Sequence, residues 1–340
     1  MLSTAGSSEL KRGAWRWIAA FLCSCALAST AVQGAEATRA ENVSLDSLSV
    51  VKLRVHAVPD ARSRQTVGVE REGTGIVIDS SGLVLTIGFL IQEADTIEIA
   101  AADGHMLPAS VLGSDNATGL GLLRVVGKLP VRPIEIGDSD KMQLREPVLI
   151  VGFDGVAPAL VVSRRSFVGT WEYLLDDAIY TAPATVNWQG AALINKEGKL
   201  VGVGSLLVGN AVGGRGQVAG NMFVPIDLLK PILGDLIAQS NSSNPRPWIG
   251  INTQDLQGKV IVTRVSPESP AAAAGLNAGD IIVGVRGEKL QGQADFYRKV
   301  WATGDAGAEV LLDVLQENEI RQLPVKSIDR NSYLRSRPVY

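Results

Sequence analysis

A chain of 340 residues, 46% hydrophobic and 20% charged, is too long for one small core, and two domains are the natural reading. The formal net charge of −3 gives no electrostatic reason to expect nucleic acid. With two cysteines, Cys23 and Cys25, and two histidines, His56 and His105, there is little from which to build a zinc site, and no cofactor is expected.

Residues 1–34 read as an export signal. Lys11, Arg12 and Arg16 precede an apolar run from Trp17 to Leu27, and small residues follow through "STAVQGAEA". Cleavage near Val32-Gln33-Gly34 or at Ala35 would remove both cysteines and leave a mature chain free of thiols, which suits a periplasmic protein needing no oxidative staple. The run is short for a membrane span, so an uncleaved anchor is the lesser alternative and the only membrane contact expected. Leu22-Cys23-Ser24-Cys25 has a weak likeness to a lipoprotein cleavage box. Residues 35–46 read as a linker.

From Ser47 the pattern becomes strand, turn, strand. "SVVKLRVHA" alternates, and "GTGIVIDSSGLVLTIGFLI" is two apolar runs around the turn Asp79-Ser80-Ser81-Gly82. "TIEIAAADGHMLPASVLG" repeats the design with Asp103-Gly104 at its bend. "GLGLLRVVG", "PVLIVGF", "LVVSRRSFVGT", "AALINKEGKLVGVGSLLV" and "GNMFVPI" follow as further strands. Helical spacing enters only at "PIDLLKPILGDLIAQ", predicting a helix from Pro225 onward. A pair of β-barrels over residues 47–238 closed by a short helix is the simplest architecture.

Residues 239–247, which include "SNSSNPRP", read as a linker. A compact α/β module over 248–328 comes next, with a helix around "ADFYRKVWA" and a strand "AEVLLDVLQ". The polar stretch 329–340 reads as an extended tail.

Several runs together carry a resemblance to one family. "GTGIVIDSSGLVLT", "ADGHMLPASVLGSDNATGLGLLRV", "IEIGDSDKM", "ALINKEGKLVGVGS" and "GNMFVPIDLLKPIL" are similar to barrel segments of the HtrA/Deg family of exported trypsin-like proteases. "WIGI", "SPESPAAAAGLNAGDII" and "VRGEKL" resemble the PDZ domain that follows the protease domain there. The resemblance runs from about residue 47 to 328 and implies a mainly β fold, a trypsin-like double β-barrel followed by a PDZ α/β module.

The departures fall on the catalytic positions that the resemblance implies. Where the family has Thr-Asn-x-His-Val, this chain has Thr86-Ile87-Gly88-Phe89-Leu90, so Phe89 holds the place of the general base. Where it has Asp-x-x-Thr-Asp-Leu-Ala-Leu-Leu, this chain runs from Asp115 to Leu123, with Gly119 at the orienting aspartate. Where it has Gly-Asn-Ser-Gly-Gly-Pro-Leu, this chain has Asn187 to Leu193, with Gln189 at the nucleophile. A phenyl ring takes no proton, glycine orients nothing, and a carboxamide is a poor nucleophile. Losing a triad costs roughly 10⁶-fold in turnover, about 8 kcal/mol of barrier. Asn187 also replaces a glycine whose backbone helps aim the oxyanion amides.

Substitute chemistry finds little material. His105 sits beside the turn Asp103-Gly104 and reads as a solvated loop residue; His56 reads as a satisfied strand-end histidine. A Ser–Lys dyad at Ser163, Ser166 or Ser205 lacks a neighbouring lysine, and Arg164 and Arg165 stay protonated. Asp176-Asp177 reads as a solvated pair placed before a strand. Phe89, Trp188 and Gln189 can either wall a peptide cleft or plug it, and plugging is the simpler reading. The glycine-rich stretch from Gly209 to Asn221 reads as a mobile rim loop.

The PDZ resemblance implies a peptide site. Trp248-Ile249-Gly250-Ile251 corresponds to the loop whose amides receive a terminal carboxylate, and a bound peptide would add beside Ile251-Asn252-Thr253. Ile249, Ile251, Phe296 and Val300 would wall the pocket, with Phe296 and Val300 on one helix face. The alternative is that these residues are only core. An apolar lining predicts peptides or proteins with hydrophobic C-termini as partners. The chain's own end, Pro338-Val339-Tyr340, is one candidate occupant. The family's aromatic trimer contacts have no counterpart in "ENVSLDSLSVVKLRVHA", so trimerisation is not implied. The reading that emerges is an inactive trypsin-like/PDZ adaptor or scaffold in envelope protein quality control. A serine-type endopeptidase with relocated chemistry and an assembly platform without peptide selectivity are the alternatives.

Overall fold

A computed structural model describes residues 48–100, 104–214, 216–238 and 245–335; the stretch 1–34 expected to be an export signal and Pro338-Val339-Tyr340 lie outside the described residues. The alternation in "SVVKLRVHA" becomes β1 (Val50–Ala57), with Leu53, Val55 and Ala57 buried and Arg54 and His56 outside. On its outer face, Lys52 pairs with Glu72 at 2.8 Å and His56 with Glu70 at 3.0 Å across the neighbouring strand β2 (Glu70–Val77). The turn into β3 (Leu83–Ile87) is held by Asp79, whose carboxylate accepts from the amides of Ser81 and Leu83 at 2.9 and 2.8 Å.

β4 (Ala94–Ala100), β5 (Met106–Ser114) and β6 (Leu120–Val125) complete a closed barrel in the order β1-β2-β3-β6-β5-β4. A helical turn, α1 (Arg64–Val67), lies between β1 and β2. The second apolar run does not stay extended to its end. Gly88–Ile91 turn into a short helix, α2. Its terminal carbonyls are collected by the buried Arg71 guanidinium, which donates to Phe89 O at 3.0 Å and to Leu90 O and Gln92 O. The guanidinium thereby satisfies carbonyls that the end of a helical turn leaves unpaired.

The second barrel consists of β7 (Pro147–Gly152), β8 (Gly155–Gly169), β9 (Tyr173–Ala182), β10 (Ala192–Ile194), β11 (Leu200–Val208) and β12 (Gly220–Pro225), closed in the order β10-β11-β12-β9-β8-β7. β9 is absent from the predicted strands because Asp176-Asp177 interrupts its apolar pattern. The two carboxylates lie inside this strand rather than before it, exposed, and each is paired: Asp176 with Arg298 at 2.5 Å and Asp177 with Arg164. The rim stretch is also better anchored than its glycines suggest. Ala211 is fully buried, Asn210 accepts from Gly213 N at 2.8 Å, and Ser163 Oγ donates to Ala211 O at 2.7 Å.

The helix predicted from Pro225 is broken in two. A tight turn at Ile226–Leu228 is separated from α3 (Leu233–Ile237) by Pro231, which has no N–H to carry the ladder across. The C-terminal module has a sheet of order β13-β14-β15-β17-β18. Its elements are β13 (Ile251–Leu256), β14 (Lys259–Val265), α4 (Pro270–Ala273), β15 (Ile281–Val285), β16 (Glu288–Lys289), α5 (Gln293–Trp301), β17 (Glu309–Gln316) and β18 (Glu319–Lys326). Val260, Val262, Ile282, Phe296, Leu312 and Val325 form its core.

The tail is not extended throughout. Asp329 caps a last helical turn, α6 (Arg330–Tyr333), through the amide of Asn331. Tyr333 packs at a tilt of 42° against Trp248 with ring centroids 4.6 Å apart, the Arg62 guanidinium covers its ring at 3.9 Å, and Arg335 N donates to Glu93 at 2.7 Å. The tail thereby ties the C-terminal module to the first barrel. No helix among the described residues is long and apolar enough to cross a membrane.

Candidate functional site

A cavity of about 1200 Å³ lies between the barrels, the C-terminal module and the tail, and Phe89, Gly119, Trp188 and Gln189 all line it. Three separate segments meet here because α2 leans on the loop before β6: Gly88 N donates to Gly119 O at 2.7 Å. Phe89 and Trp188 pack with ring centroids 6.1 Å apart at 52°. Both are half-buried, so they close part of the cleft and still face its space. Gln189 reaches across to the first barrel, its carbonyl accepting from Thr74 N at 2.8 Å.

The backbone at Gly119 has settled on glycine. Its φ is +79°, and a Cβ there would lie 3.0 Å from Tyr173 Oη. That hydroxyl donates to Thr118 O at 2.6 Å, while Asp115 turns its carboxylate onto Thr118 N at 2.7 Å. The space into which a side chain at 119 would project is therefore taken by Tyr173. Asn187 N donates back to Thr185 Oγ1 at 3.4 Å, within its own loop.

The cavity lining holds hydroxyls, among them Ser110, Ser114 and Ser205, and carboxylates, but no histidine, lysine or cysteine among the described residues. His56 stays on the outer face of β1 with Glu70, and His105 is exposed. Ser166 Oγ donates to Asp176 O at 3.1 Å, and Ser163 is engaged with Ala211. The groups among the described lining residues that can accept a proton are carboxylates, Glu70, Glu72, Glu93, Asp95, Asp115 and Asp235, rather than an imidazole or an amine.

The second constellation sits on the C-terminal module. Gly250 has φ +90°, and a Cβ there would lie 2.3 Å from Ser269 Cβ, so the loop before β13 requires glycine. Replacing Gly250 by alanine is expected to lower stability by roughly 2–4 kcal/mol through overpacking and backbone strain, read as a drop in the urea unfolding midpoint of the full chain. The loop presents three successive amides, Ile249, Gly250 and Ile251, to one carboxylate. That carboxylate is Glu172, from the turn between β8 and β9: Oε2 accepts from Ile249 N at 3.0 Å, and Oε1 from Gly250 N at 2.7 Å and Ile251 N at 2.9 Å. Burial pushes the Glu172 carboxyl up to about 7, against the three amides and the nearby Arg330 charge, which favour its ionised form.

The trypsin-like peptidase domain profile matches residues 73–203, and the PDZ domain profile matches residues 247–326. A probable periplasmic serine endoprotease DegP-like from Pseudomonas putida is 28% identical over 273 residues, covering 74% of this chain and 55% of the relative. The periplasmic pH-dependent serine endoprotease DegQ of Escherichia coli is 28% identical over 290 residues, covering 79% and 61%. The serine endoprotease DegS of Haemophilus influenzae is 27% identical over 277 residues, covering 76% and 77%. Among solved structures, the HtrA-type protease AlgW with decapeptide superposes with a TM-score of 0.52 at 21% identity, covering 86% of this chain and 97% of that one. The chain is an HtrA-type protein. It spans a little over half the length of the first relatives named, 55% of the DegP-like protein.

In this HtrA-type chain Ile249, Ile251, Phe296 and Val300 come together in one apolar cluster, all but sealed from solvent. Trp248 stands apart from the amide triplet: its N–H donates to Ile328 O at 3.0 Å and its ring serves Tyr333. The residues that sequence reasoning missed come from the second barrel and the start of α5. Thr170 O accepts from Thr253 N at 2.8 Å, and Gly169 O accepts from Tyr297 Oη at 2.9 Å and Gln293 Nε2 at 3.1 Å. Leu174 joins the cluster of Ile249, Ile251, Phe296 and Val300. Their one signal is the turn "GTWEY" itself, a short bend between apolar strands with no motif to mark it.

Proposed function

We propose that this HtrA-type protein is a non-catalytic periplasmic adaptor that captures peptides or protein C-termini on its PDZ domain. The observation carrying the proposal is the set Phe89, Gly119 and Gln189 around one cavity whose described lining has no histidine, lysine or cysteine. Serine attack needs a hydroxyl, a base and an acceptor that orients the base, and none of the three positions supplies its part. The periplasmic location is supported by the relatives named as periplasmic endoproteases and by the export-signal pattern of residues 1–34. The PDZ match and the amide triplet at Ile249–Ile251 support the binding role.

A serine endopeptidase is the second reading, favoured by the relatives being named as serine endoproteases and by the persistence of an open cavity beside Gln189. Labelling with a fluorophosphonate probe separates the two. The adaptor reading expects no label on the full chain at a probe concentration that saturates trypsin. Stoichiometric label on one serine means that an activated hydroxyl exists, and the adaptor reading falls.

A further inference from the structure

We infer that the PDZ groove is held closed by the chain's own turn between β8 and β9, and that a partner enters only by displacing Glu172 with its free C-terminal carboxylate. The inference rests on the peptide-capture reading and concerns how that site is controlled. What a bound C-terminal peptide would supply is a carboxylate for the amide loop, backbone for the strand edge and an apolar side chain for the pocket. One short segment supplies all three here. Glu172 fills the amides of Ile249, Gly250 and Ile251, Thr170 O takes the N–H of Thr253 on the free edge of β13, and Leu174 packs with Ile249, Ile251, Phe296 and Val300.

The segment is fastened rather than merely adjacent. Tyr297 Oη receives Glu172 N at 3.2 Å and donates to Gly169 O, while Gln293 Nε2 reaches Gly169 O, Thr253 O and Thr253 Oγ1 within 3.1 Å. Glu172 itself is buried, with φ +56°, a conformation that places its side chain into the loop. An occupant on the same chain competes at a high effective concentration, so a peptide meets the groove only in the fraction of molecules whose turn is released. A groove closed in thirty molecules of every thirty-one, roughly, binds a peptide about thirtyfold more weakly than an open one.

The test uses the full chain and a pool of eight-residue peptides with the last four positions randomised, free or amidated at the C-terminus, with capture read by mass spectrometry. Glu172→Ala is expected to raise capture of the free-acid pool by about tenfold or more over wild type and to leave the amidated pool unchanged. Glu172→Gln preserves shape, guards against misfolding and is expected to give a smaller gain of the same sign. Capture by wild type equal to that of both variants would overturn self-occupancy while leaving peptide capture intact. If no chain captures peptide, the capture reading fails and hydrogen exchange decides the inference alone. The amides of Ile249, Gly250 and Ile251 are expected to exchange at least about tenfold faster in Glu172→Ala than in wild type, and equal exchange would overturn it.

Discussion

Replacing Gly190 by alanine is expected to cost more than roughly 4 kcal/mol and to leave little folded protein at 37 °C. The residue follows Gln189, with φ +72°, and a Cβ there would lie 2.2 Å from Thr74 O and 2.7 Å from Thr86 Oγ1. Neither atom can retreat easily, since Thr86 Oγ1 donates to Thr74 O at 2.8 Å inside the first barrel. The turn bearing Gln189 is thus pressed against β2, which is why one substitution there would part the two barrels. Gly198 is the control: its φ is +77° but nothing lies within 4 Å of a Cβ, so alanine there should cost only roughly 1–2 kcal/mol. Urea unfolding of both variants, followed by tryptophan fluorescence, gives the comparison. Equal midpoints would mean that the packing at Gly190 is not as tight as described.

The second large effect would follow from placing the family's catalytic residue types at Phe89, Gly119 and Gln189. A chain carrying Phe89→His, Gly119→Asp and Gln189→Ser is expected to be less stable by about 2–4 kcal/mol and to cleave casein no faster than wild type. Aspartate at 119 would need a left-handed backbone and would meet Tyr173 Oη, a hydroxyl already donating to Thr118 O. The carboxylate would be turned from its place, and a histidine without its orienting acceptor is a weak base. Adding Tyr173→Phe removes the nearest obstructing atom and is expected to recover part of the lost stability. A stable triple variant that turns over casein would show that only three side chains separate this cleft from catalysis.

Much of this architecture could be read before any coordinates. The outward Lys52, Arg54 and His56 alternate with buried Leu53, Val55 and Ala57, a period that only a half-buried strand explains. Asp79 and Asn195 mark their turns because a short side-chain acceptor can bind amides two and four residues on. Phe296 and Val300 sit four apart on α5 and are buried together, as helical spacing requires.

Other features depended on contacts far away in sequence. β9 was masked by Asp176 and Asp177, whose cost is offset by Arg298 and Arg164 from other elements. α2 needs Arg71 to gather its carbonyls, and nothing local in "GFLI" announces that acceptor geometry. Glu172 is the clearest case. A single glutamate in a bend reads as solvated surface, and its role exists only because a loop nearly eighty residues later turns three amides toward it.

An adaptor without catalysis should leave peptide bonds in its cleft intact. Incubation of the purified full chain with unfolded casein, beside Gln189→Ala and a mock purification from cells lacking the gene, tests it most directly. No cleavage above the mock is expected for either chain over hours. Cleavage that copurifies with the protein and exceeds the mock would overturn that expectation: loss in Gln189→Ala would place the chemistry in the cleft, and persistence would place it elsewhere in the molecule.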